Sequence, residues 1–375
     1  ISIGKNMKIL NLIWGFALGA GIDKCYITYS KLGDIDPELD MLNVCIRIGT
    51  IRGADYSPLE KMGAKIIDIQ NKRDFSWYRK LNTLIAQERP DRIFAHGFGS
   101  KFVLTVLWIR RKLKVPVILS DHGLYHAPTA SKKLIEPIVN YYHHRILYRF
   151  LADKVICVSE QSRNMLLSKG LDATKIRVVH NGLQQIERPP KADIPRQYKE
   201  VVKIVTASRI TPEKGLPYLL EALKKLKSQG MKFHYFMIGD GPDLPQLKQK
   251  AALLGLNGEI SFLGFRSNIP AWLETCDIFA LPSLHENHSI AILEAMRAGK
   301  AIVATRVGGN GESIRNGIDG VLVPAMSSQP LADALTRLIQ DSSLRQRLGD
   351  SAQERFSTEF TETAMQKNLI QILKQ

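Results

Sequence analysis

The chain has 375 residues, of which 45% are hydrophobic and 23% are charged. This length exceeds what one ordinary core fills and predicts about two domains, while the composition excludes a disordered or fibrous protein. The net charge is +16, with 28 basic and 16 acidic residues in 1–180 against 24 and 20 in 181–375. We therefore expect the first half to face a polyanion: an anionic membrane, a phosphorylated acceptor or nucleic acid.

The N-terminal apolar run, residues 9–21, follows Lys5 and Lys8 and has some features of a signal peptide. Asn11 and Gly15 interrupt it, however, and a parallel-sheet protein needs a buried first strand at about this position. We interpret the run as that strand. No later stretch reaches the roughly 20 apolar residues of a membrane-spanning helix.

Short apolar runs then alternate with longer amphipathic stretches, which is typical of βα units and a parallel sheet. In the first half the predicted strands are residues 8–13, 65–69, 92–95, 117–120, 154–158 and 176–179. Four cysteines, Cys25, Cys45, Cys157 and Cys276, lie far apart without a CxxC pair. We expect them to be small buried residues of a protein in a reducing compartment.

A polar, proline-containing stretch, residues 184–200, follows and is the predicted linker. The same alternation restarts, with predicted strands at 202–207, 234–238, 259–263, 277–281, 300–304 and 320–323. The sequence thus predicts an α/β protein with two Rossmann-like domains, residues 7–183 and 201–355, that face each other across a cleft. Residues 356–375 form a predicted C-terminal helix that packs back towards the first domain.

The strongest chemical signal is the segment Glu286 to Glu294, placed after the strand at 277–281. Its two carboxylates can reach separate parts of one ligand, the first from a loop and the second from the following helix. Backbone N–H groups near Ser289 and Ile290 would face a phosphate at the start of that helix. Two glutamates with this spacing often occur by chance. The segment therefore indicates a binding site only together with other motifs.

That context begins with the segment Ser208 to Gly215, which follows the first strand of the second domain. Arg209 offers a planar fork for phosphate oxygens, Lys214 offers a compact charge, and Gly215 permits close backbone approach. The alternative is a pair of surface cations near a helix start that is capped by Thr211.

These segments, with the turn 239–242, the strand end 262–264 and the stretch 298–309, resemble the retaining family-4 glycosyltransferases of GT-B fold. The resemblance covers nearly the whole second domain. It implies that Arg209 and Lys214 bind the donor pyrophosphate, that Glu294 binds ribose hydroxyls, and that Glu286 contacts the donor sugar. Many members of the family have Gly-Phe-Gly or Gly-Phe-Pro after the first glutamate, whereas this chain has Asn287, His288 and Ser289. We expect backbone contacts to the donor to be retained and the sugar pocket to be altered.

The first domain resembles the family more loosely. Gly19 and Gly21 match the family's Gly-Gly loop, whose backbone approaches the donor phosphate, although Ala20 replaces one glycine and a generic tight turn explains the segment equally well. His122, after a strand end, matches the family's histidine beside the reacting sugar; the alternative is a structural histidine. Asn181 and Gly182 are interpreted as a turn.

Two basic segments of the first domain combine cations with apolar or aromatic residues, at 101–114 and 140–150. They suit the surface of an anionic membrane. The first equally suits a core helix with a solvated last turn.

The resemblance implies a retaining glycosyltransferase, a hexosyltransferase that moves a hexose or N-acetylhexosamine from a UDP- or GDP-sugar to a glycan or lipid-linked acceptor. Polysaccharide or lipopolysaccharide synthesis is the expected setting, in the cytoplasm or peripherally on the inner face of the cytoplasmic membrane. UDP is favoured only because such donors are common. No metal or other cofactor is expected, since no Asp-x-Asp ligand pair is evident and Arg209 and Lys214 supply the charge. The alternatives are a sugar-nucleotide epimerase or hydrolase on the same scaffold, and a basic nucleic-acid-binding protein, for which no recognition motif is found.

Overall fold

A computed structural model describes residues 6–14, 21–48, 56–69, 76–96, 114–121 and 148–375. The chain divides into two compact units, Ile1–His180 with Met365–Gln375 and Asn181–Ala364. The polar stretch 184–200 lies in the second unit. The domain boundaries given above stay predictions.

The first unit is built on a parallel sheet with the strand order β3-β2-β1-β4-β5-β6-β7. Strands β1 to β3 follow one another towards one edge of the sheet, and strands β4 to β7 follow one another towards the other edge, as in doubly wound folds. Its described strands are β1 (Met7–Trp14), β2 (Leu39–Ile48), β3 (Lys65–Ile69), β4 (Arg92–His96), β5 (Val117–Asp121), β6 (Lys154–Cys157) and β7 (Ile176–Val178). Its described helices are α1 (Gly21–Ser30), α2 (Leu32–Ile35), α3 (Ser57–Lys61), α4 (Ser76–Glu88), α5 (Tyr148–Leu151) and α6 (Glu160–Ser168).

Strand β2 was not predicted from the sequence. It is ten residues long and pairs with β1 and β3. Polar residues interrupt its apolar run, among them Asn43, which is buried. The signal that was available is the short apolar run Val44 to Ile46, which is fully buried in the sheet.

Asn43 is buried because it belongs to a polar network inside the first unit. Asn11 of β1 donates to Asn43 Oδ1 at 2.8 Å, and His96 Nε2 lies 2.9 Å from Asn11 Oδ1. Buried polar groups are tolerated where they find hydrogen-bond partners of this kind. The asparagine that interrupts the N-terminal apolar run therefore lies within β1 as a partner of two neighbouring strands.

The second unit contains a parallel sheet with the order β10-β9-β8-β11-β12-β13. Its strands are β8 (Val202–Ala207), β9 (Phe233–Ile238), β10 (Ile260–Gly264), β11 (Ile278–Leu281), β12 (Ala301–Thr305) and β13 (Val321–Val323). Its helices are α7 (Leu216–Ser228), α8 (Leu244–Leu253), α9 (Ile269–Thr275), α10 (Ile290–Arg297), α11 (Asn310–Ser313), α12 (Ser328–Gln340) and α13 (Ser342–Glu359). The predicted α/β class with parallel sheets is confirmed in both units.

Both faces of the second sheet are buried, as the run of apolar residues in its strands requires. Neighbouring residues of β8 belong to two different cores, Ile204 to one with α7 and α12, and Val205 to another with α9, α10 and α13. Successive side chains of a strand point to opposite faces. The sheet is therefore covered by helices on each side, which leaves its strand ends as the place for a ligand site.

The last helix, α14 (Glu362–Lys374), begins in the second unit, and its residues from Met365 onward belong to the first. The buried Gln366 side chain donates to the carbonyl of Thr28 in α1 at 3.2 Å, and Lys374 Nζ lies 2.6 Å from Asp36 Oδ2. A buried hydrogen bond and an ion pair thus attach this helix within the first unit.

All four cysteines lie in the described residues, are buried, and form no disulfide. Their predicted burial is confirmed. In the part of the chain that the structure describes, no helix combines the length and apolar character needed to cross a membrane.

A buried carboxylate fixes the loop before β13 to α13. Asp319 Oδ2 accepts from Arg315 Nε at 2.7 Å, and Asp319 also accepts from Ser351 at 2.8 Å and from Arg355 at 3.2 Å. Burial alone would raise the pKa of Asp319, but the hydrogen bonds from Arg315, Ser351 and Arg355 outweigh it and lower the pKa to about 2.

Acid is expected to destabilise the second unit through Asp319. Its pKa is about 2 in the folded state against 3.8 in the unfolded state. The stabilisation is therefore present above pH 3.8 and is lost as the pH falls through 2, with a magnitude of about 2 kcal/mol. Urea unfolding between pH 6 and pH 2 should show a shallower pH dependence for Asp319→Asn than for the wild type. Asp333→Asn, at an exposed position of α12, is the control; equal slopes for all three proteins would contradict the assignment.

Candidate active site

The predicted phosphate residues lie at the switch point of the second sheet. Arg209 and Lys214 follow β8, and Glu286 follows β11, the strand that pairs with β8. The strand order reverses between these two strands. In open α/β sheets, ligands bind beyond the carboxyl ends of the strands at such a point.

Lys214 and Glu286 form an ion pair there. Lys214 Nζ lies 2.7 Å from Glu286 Oε1, and Ser283 Oγ donates to the same oxygen at 2.7 Å. The two charged side chains are only 16% and 10% exposed. Lys214, which was predicted to bind the donor pyrophosphate, and Glu286, which was predicted to contact the donor sugar, are thus in direct contact.

Two glycines let backbone segments pass close together around this pair. Gly215 has a positive φ of 61°, and a Cβ there would collide with the carbonyl oxygen of Pro282. Gly308 has a φ of 53°, and a Cβ there would collide with the carbonyl oxygen of Glu286. Gly215 therefore allows a close approach between two segments of protein backbone. The loop after β11 packs there against the segment after β8.

The helix α10 begins directly after this loop, with Ser289 as its N-cap residue. The Ser289 side chain makes no capping hydrogen bond to the first turn. Four N–H groups at the start of a helix have no partner within it, and the helix dipole favours an anion at this end. The structure therefore places Ser289 and Ile290 at a helix start suited to a phosphate group.

Arg209 is the most exposed of the predicted phosphate ligands, with 76% of its side chain accessible, and its Nη2 lies 3.3 Å from Glu213 Oε1. Burial would raise the pKa of Glu213, but a hydrogen bond from Thr211 and the charge of Arg209 are among the effects that lower it. The alternative interpretation supposed that Thr211 caps a helix start, but its hydroxyl donates to Glu213 at 2.7 Å and makes no capping bond.

The backbone carbonyls of His288 and Asn287 help to hold the loop that carries Glu286. The carbonyl of His288 accepts from Asn181 Nδ2 at 3.0 Å, and the carbonyl of Asn287 accepts from the N–H of Gly309 at 2.9 Å. The His288 side chain is buried, with Nε2 3.2 Å from Ser313 Oγ and its ring centroid 5.5 Å from that of Phe360. His288 occupies the position of the family's phenylalanine and packs into the unit as an apolar ring would.

Glu294 lies in the second turn of α10 and is buried. It lines a small cavity together with residues of α9 and with Arg297, whose pKa is lowered by burial and raised in part by the charge of Glu294. Its role at a ribose stays a prediction.

The candidates in the first unit are only partly described. Gly21 is the first residue of α1, which follows β1. Gly19, His122 and most of the two basic segments at 101–114 and 140–150 lie outside the described residues. Their assignments stay predictions.

Two family models match this chain. Residues 188–355 match the model of glycosyl transferases group 1, and residues 65–184 match that of glycosyltransferase family 4. The chain is a glycosyltransferase of group 1 type. The glycosyltransferase is 26% identical over 296 residues to the alpha-D-kanosaminyltransferase of Streptomyces kanamyceticus, covering 75% of this chain and 76% of that one.

A second relative of the glycosyltransferase is the UDP-Gal:alpha-D-GlcNAc-diphosphoundecaprenol alpha-1,3-galactosyltransferase of Escherichia coli. The two are 26% identical over 291 residues, or 72% of each chain. Among solved structures, HepE of Anabaena in complex with UDP has a TM-score of 0.80 at 22% identity and covers 98% of this chain and 100% of its own. This likeness shows the GT-B fold of the glycosyltransferase.

Three residues of the glycosyltransferase support the site although the sequence analysis predicted no role for them there. Ser283 received no role and Asn181 was interpreted as a turn residue, yet each donates a hydrogen bond to the loop that carries Glu286. Gly308 lies in the stretch 298–309 that resembles the family, but it received no role of its own. The adjacent glycines at 308 and 309 were the available signal, because positive φ and close approach favour glycine.

In the described residues of the glycosyltransferase, no group of three or more His, Cys, Asp or Glu side chains is arranged to hold a metal ion. An Asp-x-Asp spacing does occur, at Asp34 and Asp36, but Asp36 is paired with Lys374 in the first unit. The hydrogen bond from Lys374 lowers the pKa of Asp36.

Substitution of His288 by phenylalanine is expected to preserve nucleotide binding, because the ring is buried and the loop is held through backbone groups. The loss of the bond to Ser313 should lower the free energy of unfolding by about 1 kcal/mol. Calorimetric titration with UDP and GDP, together with urea unfolding, measures both effects. A large loss of affinity in a folded His288→Phe protein would show that the imidazole itself serves the ligand.

Proposed function

We propose that this glycosyltransferase moves a hexose or N-acetylhexosamine from a nucleoside-diphosphate sugar to a hydroxyl of a glycan or lipid-linked acceptor, with retention of anomeric configuration. The observation that carries the proposal is the contact between Lys214 Nζ and Glu286 Oε1, 2.7 Å, at the switch point of the second sheet. It joins a cation suited to a diphosphate with a carboxylate suited to sugar hydroxyls.

The donor's diphosphate would bind between the start of α10 and the side chains of Lys214 and Arg209. Helix N-terminal N–H groups and cationic side chains both stabilise phosphate oxygens. As the bond from the anomeric carbon to the diphosphate breaks, negative charge grows on the leaving oxygen. Preorganised positive groups lower the barrier by stabilising that charge in the transition state.

The acceptor hydroxyl would attack from the face that the diphosphate leaves. The new bond joins the acceptor oxygen to the anomeric carbon, the bond to the diphosphate breaks, and the acceptor proton passes to the departing diphosphate. This route needs no protein nucleophile beneath the anomeric carbon, whereas a double displacement would need a carboxylate there. In this proposal Glu286 holds sugar hydroxyls and orients the anomeric carbon.

Relatives with polyprenyl-linked acceptors support a cell-surface role. The name of the Escherichia coli relative specifies a UDP-galactose donor and a diphosphoundecaprenol-linked acceptor. Others are named for amylovoran and lipopolysaccharide core biosynthesis. Solved HepE complexes contain UDP and UDP-glucose. We therefore favour a UDP-sugar donor and an acceptor at the inner face of the cytoplasmic membrane.

Peripheral membrane contact through the first unit is part of this proposal. Phe150 is 65% exposed, and the guanidinium of Arg149 lies 5.8 Å from its ring centroid. An exposed aromatic side chain beside a cation suits the interface of an anionic membrane.

A transfer assay tests the proposal. The purified enzyme is incubated with UDP-glucose, UDP-galactose, UDP-N-acetylglucosamine or GDP-mannose and an undecaprenyl-diphosphate-linked sugar, with and without EDTA. We expect one donor to yield a glycosylated lipid with the donor's anomeric configuration, by NMR, and equal yield in EDTA. An inverted product would contradict retention, and loss of yield in EDTA would contradict metal independence. Free or epimerised sugar in place of a glycosylated lipid would favour a hydrolase or an epimerase.

A further inference from the structure

Ser283 contacts the carboxylate at the centre of the site and has no part in the function proposed above. It lies two residues beyond the end of β11 and is fully buried. Its hydroxyl donates to Glu286 Oε1 at 2.7 Å, the same oxygen that accepts from Lys214 Nζ at 2.7 Å. One carboxylate oxygen therefore has two donors, one neutral and fixed, the other charged and on a flexible stem.

The backbone around Ser283 is held independently of Lys214. The carbonyl of Ser283 accepts a hydrogen bond from the buried hydroxyl of Thr305 in β12. The N–H of the next residue, Leu284, donates to the carbonyl of Glu213 at 2.8 Å. The carbonyl of Glu286 lies against Gly308. The serine thus has a fixed position from which to direct the carboxylate.

The two donors differ in what a bound diphosphate would do to them. A diphosphate attracts Lys214, whose ammonium group is mobile and carries three N–H donors. The Ser283 hydroxyl is buried and has no charge to respond to the ligand. Of the two side chains in the described residues that donate to Glu286, Ser283 is the fixed one, and without it the carboxylate would be free to rotate.

We propose that Ser283 is a positioning residue, which keeps Oε1 of Glu286 in place when Lys214 turns to the donor diphosphate. The other oxygen, Oε2, is then presented to the hydroxyls of the donor sugar. This inference rests on the proposed function, since it assigns a part within the same donor site. It implies that Ser283 matters for binding of the sugar and not for binding of the nucleotide.

Paired calorimetric titrations test whether Ser283 affects binding of the sugar nucleotide and not binding of the free nucleoside diphosphate. Wild type and Ser283→Ala are titrated with UDP and UDP-glucose, and with GDP and GDP-mannose. For the pair that the wild type binds, Ser283→Ala should weaken binding of the sugar nucleotide about tenfold to hundredfold, the scale of one hydrogen bond to a charged group. Its affinity for the free diphosphate should be unchanged. Thr206→Val is the matched control, because Thr206 is equally buried and donates to the carbonyl of Ala280 within the sheet and not to Glu286.

A double-mutant cycle separates positioning from a general loss of structure. In a Glu286→Ala background the serine has no carboxylate to hold, so adding Ser283→Ala should not weaken sugar-nucleotide binding further. Ser283→Cys, which keeps the volume and donates only weakly, should show the same split if the alanine variant folds poorly. Equal losses for the diphosphate and the sugar nucleotide, or additive losses in the cycle, would overturn the inference. Failure of the wild type to bind any of the four ligands would instead refute the proposed function, and this inference with it.

Discussion

Lys214→Ala is expected to lower turnover by roughly a hundredfold or more, the usual effect of removing one preorganised charge stabiliser. Lys214 is less exposed than Arg209, the other cationic side chain predicted to bind phosphate, and it lies against Glu286. The measurement is the steady-state rate of nucleoside-diphosphate release from the donor that the wild type uses, with its acceptor present. Lys224→Ala, which removes an exposed charge from α7, is the control and should behave as the wild type.

Variants of Lys214 and Glu286 should change the free energy of unfolding and the turnover independently. Lys214→Ala leaves the buried Glu286 carboxylate with one fewer partner, at an expected cost of about 1–3 kcal/mol in the free energy of unfolding. Adding Glu286→Gln removes the charge and should restore most of that stability, while turnover stays low. Recovery of turnover together with stability in the double variant would show that Lys214 acts only by supporting the fold.

Gly308→Ala is expected to have an effect of similar size through the backbone. A Cβ at this position would collide with the carbonyl of Glu286, and its φ of 53° is unfavourable for alanine. The loop that carries Glu286 must therefore move. Since a displacement of about 1 Å costs roughly a hundredfold in rate, we expect a loss on that scale, with a decrease of more than about 1 kcal/mol in the free energy of unfolding.

Gly317→Ala is the matched control for this prediction. Gly317 also has a positive φ, 81°, but a Cβ there would meet nothing within 4 Å. It should show the cost of backbone strain with unchanged turnover. If the two alanine variants have the same rate, the close approach of Gly308 to Glu286 does not position the site.

Much of the fold could be predicted from the sequence because parallel strands buried on both faces are nearly continuous apolar runs. The strands of the second unit follow that rule, and each predicted one was found within a residue or two of its expected bounds. Strand β2 was missed because Asp40 and Asn43 interrupt its run. Asn43 is tolerated in the sheet through its hydrogen bonds with Asn11 and with the carbonyl of Ser30, which are contacts that no local pattern contains.

The site was predictable where its residues match a motif and not where they act through the backbone or through a neighbour. Lys214 and Glu286 were identified from motifs 72 residues apart, and the structure brings them together. The inward packing of His288 was not predictable, because it depends on Phe360 and Ser313. Ser283 carries no motif of its own, and only the distance to Glu286 gives it a role.

Nucleotide binding tests the central claim most directly, namely that a nucleoside diphosphate binds beside Lys214 and Glu286. Calorimetric titration of wild type and Lys214→Ala with UDP, GDP and ADP, each with and without EDTA, is the measurement. We expect one diphosphate to bind the wild type, to bind equally well in EDTA, and to lose most of its affinity in Lys214→Ala. If a folded wild-type protein binds none of the three, or binds one equally well without Lys214, the donor site does not lie where we place it.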